Sequence, residues 1–258
     1  MDDFRTHEEG NEEMSRIFTI DIGNTAAKGS VFDGHSVLAV SIVDSASPDS
    51  LIEFARSHGA EGAIYCNVRG DARDFAARLR AELDIPVEEL TSSTPLPFGV
   101  DYSTPGTLGV DRVAAAAGAI ERYGGDLLVV DAGTAVTADI VAAGRFLGGN
   151  ISPGLRLRFR SLNEFTGKLP LVRPEGECGL FGHDTETAIR CGVFGGLIAE
   201  VAGEYHEAKK IYKDIKLILT GGDAQYLQPR LKEKGIECEL DHDLVGLGLV
   251  SIYNYNRK

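Results

Sequence analysis

The chain has 258 residues, of which 43% are hydrophobic and 25% charged, and its formal net charge is −13. At about 150 residues per domain, this length gives one large or two small domains with a buried core. The composition excludes collagen-like, coiled-coil and wholly disordered chains. The negative charge argues against nucleic acid and anionic membranes as partners, and no stretch approaches the ~20 apolar residues that span a bilayer.

The N-terminus and the cysteines indicate the cellular compartment. Residues 1–15 are acidic where a signal peptide would be basic and then apolar, so we expect a solvated tail and a cytoplasmic protein. The four cysteines, Cys66, Cys178, Cys191 and Cys238, form no C-x-x-C pair and have no His nearby at metal-ligand spacing. We therefore expect reduced and mostly buried thiols.

Apolar periodicity and turn residues predict the elements in chain order. The first strand is expected at 17–20, strands continue to about residue 43 around a turn at Asp33-Gly34, and a helix follows Ser47-Pro48-Asp49 and ends at Gly59. The proline-rich stretch 91–109 lacks periodicity, which is typical of a functional or disordered loop. The other predictions are strands at 63–66, 127–130, 136–141 and 217–219 and helices at 71–83, 111–123, 188–210 and 246–255.

One pattern occurs twice in the chain. Residues 18–34 and 128–149 both contain an apolar strand, an Asp-x-Gly turn with hydroxyl or amide side chains, a second strand and a glycine turn. The two aspartates, Asp21 and Asp131, are far enough apart for a small α/β domain in each half. The sequence therefore predicts two related halves.

The repeated turns carry groups that bind phosphate. A carboxylate at the end of a strand, followed by glycine and Thr25, can hold a phosphate on backbone N–H groups and orient Asp21 toward a metal ion, with Lys28 adding positive charge. The alternative is an ordinary hairpin turn that its own Asp and Asn stabilise. The second turn, Asp131 to Thr134, favours a polyphosphate held from both sides, and its carboxylate can also hold a monovalent cation.

A second candidate group ends the proline-rich loop. Asp111 can act as a general base toward a substrate hydroxyl, with Arg112 beside it for an anion and Tyr102 within reach of a ligand. The alternative for Asp111 is a helix N-cap. Its position at the end of the loop favours the functional interpretation.

Three further features carry less information. The glycine-rich segments Gly148 to Gly154 and Gly221-Gly222 are interpreted as breaks, and the second suits a turn against adenosine. The three arginines at 156, 158 and 160 are expected on a solvated or salt-bridged face. His183 is assigned no role.

Taken together, the motifs resemble one known family. In chain order they are DIGNTAAK (21–28), YSTPGTLGVDR (102–112), DAGTAVT (131–137), GGNISPGL (148–155), TGKLP (166–170) and HDTETAIRCG (183–192). Jointly they resemble the type III pantothenate kinases of the acetate and sugar kinase/Hsp70/actin superfamily. The resemblance covers roughly residue 16 to the C-terminus.

The resemblance implies an α/β fold of duplicated ribonuclease-H-like domains, as in actin-like ATPases, with a ligand cleft between them. We expect an N-terminal domain at 16–123, after the tail at 1–15, and a C-terminal domain at 124–258. The resemblance also implies a homodimer. The apolar residues of the helix around 188–201 are one candidate interface, although they could equally belong to the core.

Site residues follow from the same resemblance. The ATP phosphate loop would comprise Asp21, Ile22, Gly23, Asn24, Thr25, Ala26, Ala27 and Lys28, with Thr134 as a further ATP contact. Pantothenate would contact Tyr102, Gly109, Val110, Asp111, Arg112 and Thr185, and the resemblance allows Thr185 to come from the partner subunit. Asp131 would bind the required potassium or ammonium ion, and Asp111 would accept the proton.

The expected activity is transfer of the ATP γ-phosphoryl group, with Mg²⁺, to the primary hydroxyl of pantothenate, the first step of coenzyme A synthesis. One alternative is another phosphotransferase or phosphatase of the superfamily, which only the match at 102–112 argues against. The other is a non-enzymatic regulator, because relatives of the family are linked to transcriptional activation. No basic patch is visible, however, and all three candidate aspartates are present.

Overall fold

The computed structural model describes residues 16–44, 50–70, 73–176 and 178–258. Its first sheet is built from the N-terminal part of the chain and has the strand order β3-β2-β1-β4-β5. The elements of this part are β1 (Arg16–Ile22), β2 (Ala26–Asp33), β3 (Ser36–Asp44), α1 (Ser50–Ser57), β4 (Gly62–Asn67), α2 (Arg73–Leu83) and β5 (Val87–Glu89).

The second sheet has the order β11-β10-β7-β8-β9-β6. Its strands are β6 (Gly99–Val100), β7 (Leu127–Ala132), β8 (Ala135–Ala142), β9 (Arg145–Pro153), β10 (Lys216–Thr220) and β11 (Cys238–Leu240). The helices of this part are α3 (Val110–Tyr123), α4 (Leu155–Glu164), α5 (Thr185–Ile211), α6 (Ala224–Glu233) and α7 (Leu244–Tyr255).

The two sheets repeat one topology. In the first, β1 is antiparallel to β2 and parallel to β4, and in the second β7 is antiparallel to β8 and parallel to β10. The third strand of each sheet is antiparallel to the second. This repetition confirms the two related halves and the duplicated ribonuclease-H-like fold expected from the sequence.

Strand alternation decides which side chains of β1 face the space between the sheets. Phe18, Ile20 and Ile22 pack in the core that contains residues of α1 and α2, whereas Ile17 packs with residues of α3 and α7. Because successive side chains point to opposite faces of a strand, Asp21 lies on the side of Ile17. The carboxylate of Asp21 therefore points toward the second half of the chain.

Helices α3 and α7 cross at backbone contact between the two sheets. A Cβ on Gly248 would lie 1.8 Å from the carbonyl oxygen of Ala114, and one on Gly118 would lie 2.0 Å from that of Leu244. Glycine at both positions is what lets the helix axes come this close. Since α7 also contacts β1 and α3 contacts β7, the crossing ties both halves together.

Most sequence-predicted elements are confirmed, but the glycine-rich break at 148–154 is wrong. These residues belong largely to β9, an interior strand between β8 and β6. Helix α4 was missed because its arginines mask an apolar stripe in which Leu155 and Phe159 are buried. The short β5, β6 and β11 and helix α6 were also missed. The loop at 91–109 contains β6 and a 3₁₀ turn at Pro105–Thr107.

Other predictions have mixed outcomes. The acidic tail at 1–15 and the predicted helix start at Ser47-Pro48-Asp49 lie outside the described residues. All four cysteines are unpaired, three are buried and Cys178 is half-buried, as expected. Arg158 and Arg160 form ion pairs with Glu200 and Glu164, which confirms a salt-bridged face. No described helix has the length and apolar character to cross a membrane.

Replacement of Gly248 by alanine should destabilise the protein. The added methyl group would collide with backbone rather than with a mobile side chain, so we expect a loss of about 1–3 kcal/mol despite the better helix propensity of alanine. Urea denaturation measures the loss. Gly203→Ala in α5, where a Cβ meets nothing within 4 Å, is the control and should be neutral or slightly stabilising. Equal stability of the two variants would contradict the close crossing.

Candidate active site

Two hairpin turns, each closed by a hydrogen bond from its glycine N–H, face each other between the sheets. In the first, the Gly23 N–H donates to the Ala26 carbonyl at 3.0 Å, and in the second the Gly133 N–H donates to the Ala135 carbonyl at 2.9 Å. The turns meet through the hydroxyls of Thr25 and Thr134, 3.0 Å apart. The structure therefore brings together the two predicted phosphate-binding turns.

Three carboxylates converge beside these turns. The pKa of Asp21 is raised to about 6, mainly by burial and secondly by the negative charge of the nearby Asp111. The pKa of Asp131 is raised to about 7, mainly by burial and secondly by the negative charges of Asp21 and Asp111. The mutual repulsion shows that the two halves place these like charges close to one another, where a bound cation would relieve it.

Asp111 lies in the first turn of α3 but does not cap it. The helix begins at Val110 with Gly109 as its N-cap, so the N-cap alternative for Asp111 is wrong. The Arg112 N–H donates to Asp111 Oδ1 at 2.9 Å, which leaves Oδ2 for another partner. A Cβ on Gly109 would lie 2.5 Å from that Oδ1, so glycine makes room for the carboxylate.

Arg112 is buried and paired with a residue that the sequence analysis did not single out. Its Nε donates to both oxygens of Asp139 at 3.1 Å, and its Nη2 donates to Oδ1. Its guanidinium lies 5.9 Å from the ring centroid of Tyr102 and 5.6 Å from that of Phe146. The predicted pair of Tyr102 and Arg112 is therefore in contact, on a base formed by Asp139 and Phe146.

Two more neighbours of the first turn were missed. The Cys66 thiol donates to Asp21 Oδ1 at 3.4 Å. Lys28 donates to Asp243 Oδ1 at 2.9 Å and to the His242 carbonyl at 2.5 Å, so its ammonium is held at the start of α7. Neither Cys66 nor Asp243 belongs to a recognisable motif, and only the register of β4 against β1 places Cys66 opposite Asp21.

Two glycines from the predicted breaks pack against the second turn. A Cβ on Gly221 would lie 2.3 Å from Asp131 Oδ1, and one on Gly154 would lie 2.1 Å from the Gly133 carbonyl oxygen. Gly221 also has a φ of +89°, which a side chain disfavours. Gly221 thus allows its segment to approach Asp131, and Gly154 allows β9 and α4 to approach the backbone of the second turn.

The remaining predicted residues have different surroundings. Ile22 and Ala27 are buried in the apolar core, so only their backbone can reach a ligand. Asn24 and Ala26 are exposed in the turn, and Val110 is half-buried at the start of α3. Thr185 begins α5 and lines an open groove with Arg158, Ser161 and Leu169. The described residues that line this groove include none of the three carboxylates.

The donor set suits a metal ion that arrives with a nucleotide. Within the described residues, no three His, Cys, Asp or Glu side chains are grouped as a metal site. Mg²⁺ bound to nucleotide takes most of its ligands from phosphates and water and one or two from protein carboxylates. Asp21 fits such a role, and the buried carboxylate of Asp131 fits a monovalent cation.

A family model described as type III pantothenate kinase matches residues 17–207. A protein named type III pantothenate kinase from Bacteroides fragilis is 43% identical over 239 residues, which cover 92% of this chain and 97% of that protein.

Two solved structures share the fold. One is a proposed Baf family transcriptional activator from Campylobacter jejuni, with a TM-score of 0.63, 24% identity and coverage of 93% of this chain and 98% of that one. The other is a ROK family glucokinase from Streptomyces griseus, with a TM-score of 0.51, 12% identity and coverage of 93% and 99%. At these identities the likeness concerns the fold alone.

The raised pKa values of Asp21 and Asp131 predict how stability depends on pH. Between the ordinary carboxyl pKa of about 4 and these values, the folded protein binds more protons than the unfolded chain. Stability from the two groups is therefore present at low pH and lost as pH rises through 6 to 7. In a buffer without metal ions, we expect the free energy of unfolding to fall by a few kcal/mol from pH 5 to pH 8.

Urea denaturation at both pH values checks this expectation, with Asp131→Asn as the comparison. The variant lacks one of the two titrating groups, so its stability should fall less over the same range. If the free energy of unfolding fell equally in the two proteins, Asp131 would not be a source of the pH dependence.

Proposed function

Because this chain belongs to the type III pantothenate kinase family, we propose that it transfers the γ-phosphoryl group of ATP to the primary hydroxyl of pantothenate. The products are ADP and 4′-phosphopantothenate, in the first step of coenzyme A biosynthesis. The observation that carries this proposal is the convergence of Asp111 with Asp21 and Asp131 beside the joined turns of Thr25 and Thr134.

ATP binds, in this proposal, with its phosphates between the two turns. The turn within residues 21–28 and the hydroxyls of Thr25 and Thr134 face the phosphate oxygens. Such transfers depend on in-line positioning and on neutralised charge more than on covalent chemistry by the protein. Two domains, 16–123 and 124–258, hold the nucleotide and the acceptor in the cleft between them, and the α3–α7 crossing spans both.

Asp111 serves as the proton acceptor. As the pantothenate oxygen bonds to the γ-phosphorus, the bond from that phosphorus to the bridging oxygen of ADP breaks. The hydroxyl proton passes to Asp111 Oδ2, because Oδ1 accepts the Arg112 N–H. Tyr102, Gly109 and Val110 line the acceptor side, with Arg112 behind Tyr102.

Cations complete the acidic site. Asp21 would hold Mg²⁺ that arrives with ATP, and Asp131 would hold a potassium or ammonium ion. These ions supply positive charge against the phosphates. Three partly buried carboxylates would otherwise repel a polyphosphate, and the net charge of −13 adds to that repulsion.

We also propose a homodimer in which Thr185 reaches the partner's acceptor site. Among the described residues, the groove that Thr185 lines includes none of the three carboxylates, and large apolar side chains between residues 165 and 181 are exposed. Their exposed fractions are 84% for Phe165, 59% for Leu171, 83% for Leu180 and 75% for Phe181. A second copy would bury them.

Unpaired thiols favour a cytoplasmic location.

Asp111→Asn should abolish most of the kinase activity. Loss of a general base costs about 10²–10⁴ in kcat, while the binding of ATP should stay within about twofold because the turns are intact. The assay follows ADP release and 4′-phosphopantothenate by mass spectrometry with ATP, Mg²⁺ and pantothenate. Unchanged turnover would remove Asp111 as the base, and a folded wild type without turnover would overturn the proposed acceptor.

Mixed subunits test the shared site. Asp111→Asn and Thr185→Ala proteins should each be weakly active, whereas random heterodimers contain one site with both residues native. Mixing after mild denaturation and refolding should restore about a quarter of wild-type turnover. Refolded wild type is the positive control, and each variant refolded alone is the baseline. No restoration in a mixture shown to contain heterodimers would contradict a contribution of Thr185 across subunits.

A further inference from the structure

A charged pair is buried beneath the proposed acceptor site. The side chains of Arg112 and Asp139 are 5% and 2% exposed. Asp139 engages one edge of the guanidinium, through Nε and Nη2. The guanidinium carbon lies 5.9 Å from the ring centroid of Tyr102. The proposed reaction gives Asp139 no proton to move and no ligand to touch.

We propose that Asp139 is a positioning residue, which fixes the start of α3 and the ring of Tyr102 through Arg112. The inference rests on the proposed function, because it assigns Asp139 to the acceptor side of that same site. Loss of this role should change the affinity for the acceptor and leave the affinity for ATP unchanged.

The pair connects the two elements that carry the reacting groups. Arg112 follows Asp111 in the first turn of α3. Asp139 lies on β8, paired with Val129 of β7 two residues before Asp131. Anchoring the guanidinium on β8 therefore sets the first turn of α3 against the sheet that carries Asp131.

Aromatic rings complete the support. Tyr102 and Phe146 meet edge to face with their centroids 6.1 Å apart, and both lie within 6 Å of the guanidinium carbon. A planar guanidinium held at one edge by a carboxylate presents a fixed face to such rings. Rotation of Arg112 would consequently move Tyr102.

Gly149 of β9 leaves room for the carboxylate. It is the cross-strand partner of Asp139, and a Cβ there would lie 2.2 Å from Asp139 Oδ1. Glycine inside a strand often marks the close approach of another group. The GGN motif, which the nucleotide site does not explain, thus belongs to the same arrangement.

A gain in folding stability does not by itself explain why Arg112 and Asp139 are buried as a charged pair. A buried ion pair often contributes no more to stability than apolar side chains of the same volume, because both charges lose their hydration. A fixed orientation is what the pair provides and apolar packing does not. A purely structural role of the pair would leave the affinity for the acceptor unchanged.

The test compares Asp139→Asn with Asp241→Asn in the full-length chain. Asp241 is also buried and accepts from Arg122 at 2.6 Å, at the opposite end of α3. Both variants remove the charge of a buried aspartate that pairs with an arginine of the same helix, and the side chain of Arg122 is 33% exposed. The readouts are KM for pantothenate, KM for ATP, kcat, and amide hydrogen exchange across 102–113.

Asp139→Asn should raise KM for pantothenate by about tenfold or more while KM for ATP changes by less than about twofold. Amides at 109–113 should exchange faster than in the wild type. Asp241→Asn should alter neither the pantothenate KM nor exchange at 109–113. An unchanged KM for pantothenate with Asp139→Asn, or an equal rise with Asp241→Asn, would overturn the positioning role.

If Asp139→Asn does not fold, Asp139→Glu replaces it, because that variant keeps the charge and shifts the carboxylate by one methylene, and the same rise in KM is expected. If the wild type does not phosphorylate pantothenate, the proposed function fails. The exchange measurement still decides whether Asp139 fixes the start of α3.

Discussion

Mutual repulsion among Asp21, Asp111 and Asp131 is the constraint on which the site depends. Each half of the chain contributes one carboxylate at the end of its first strand, and α3 adds the third. Burial and repulsion raise the pKa of Asp21 and Asp131. Lys28 opposes the shift at Asp21, but its ammonium is also bound at the start of α7. The arrangement is therefore suited to a polyanion that brings cations with it.

The duplicated fold explains how the carboxylates come to face one another. Asp21 and Asp131 occupy equivalent positions of equivalent strands, and the turns that follow them meet at Thr25 and Thr134. The α3–α7 crossing joins the halves at backbone contact. Because α3 starts at the cleft and runs into this crossing, the site and the joint between the halves are built on one helix.

The sequence predicted the parts of the site that carry local signals. The repeated Asp-x-Gly turns indicated Asp21, Asp131 and the duplication, and the end of the long loop indicated Asp111. Asp139 and Cys66 were not predictable in this way, since each is a single residue inside an apolar strand whose importance depends on register and on a partner from another element. Strand β9 was missed because its glycines, typical of turns, serve here to admit close neighbours.

Nucleotide binding tests the central claim most directly. Titration calorimetry with a non-hydrolysable ATP analogue compares a buffer containing Mg²⁺ and K⁺ with one in which tetramethylammonium is the sole cation. If the carboxylates need counter-charge to accept phosphates, affinity should fall by about a hundredfold or more without Mg²⁺ and K⁺. Equal affinity in both buffers would contradict the account, because the protein itself would then supply the charge that the phosphates need.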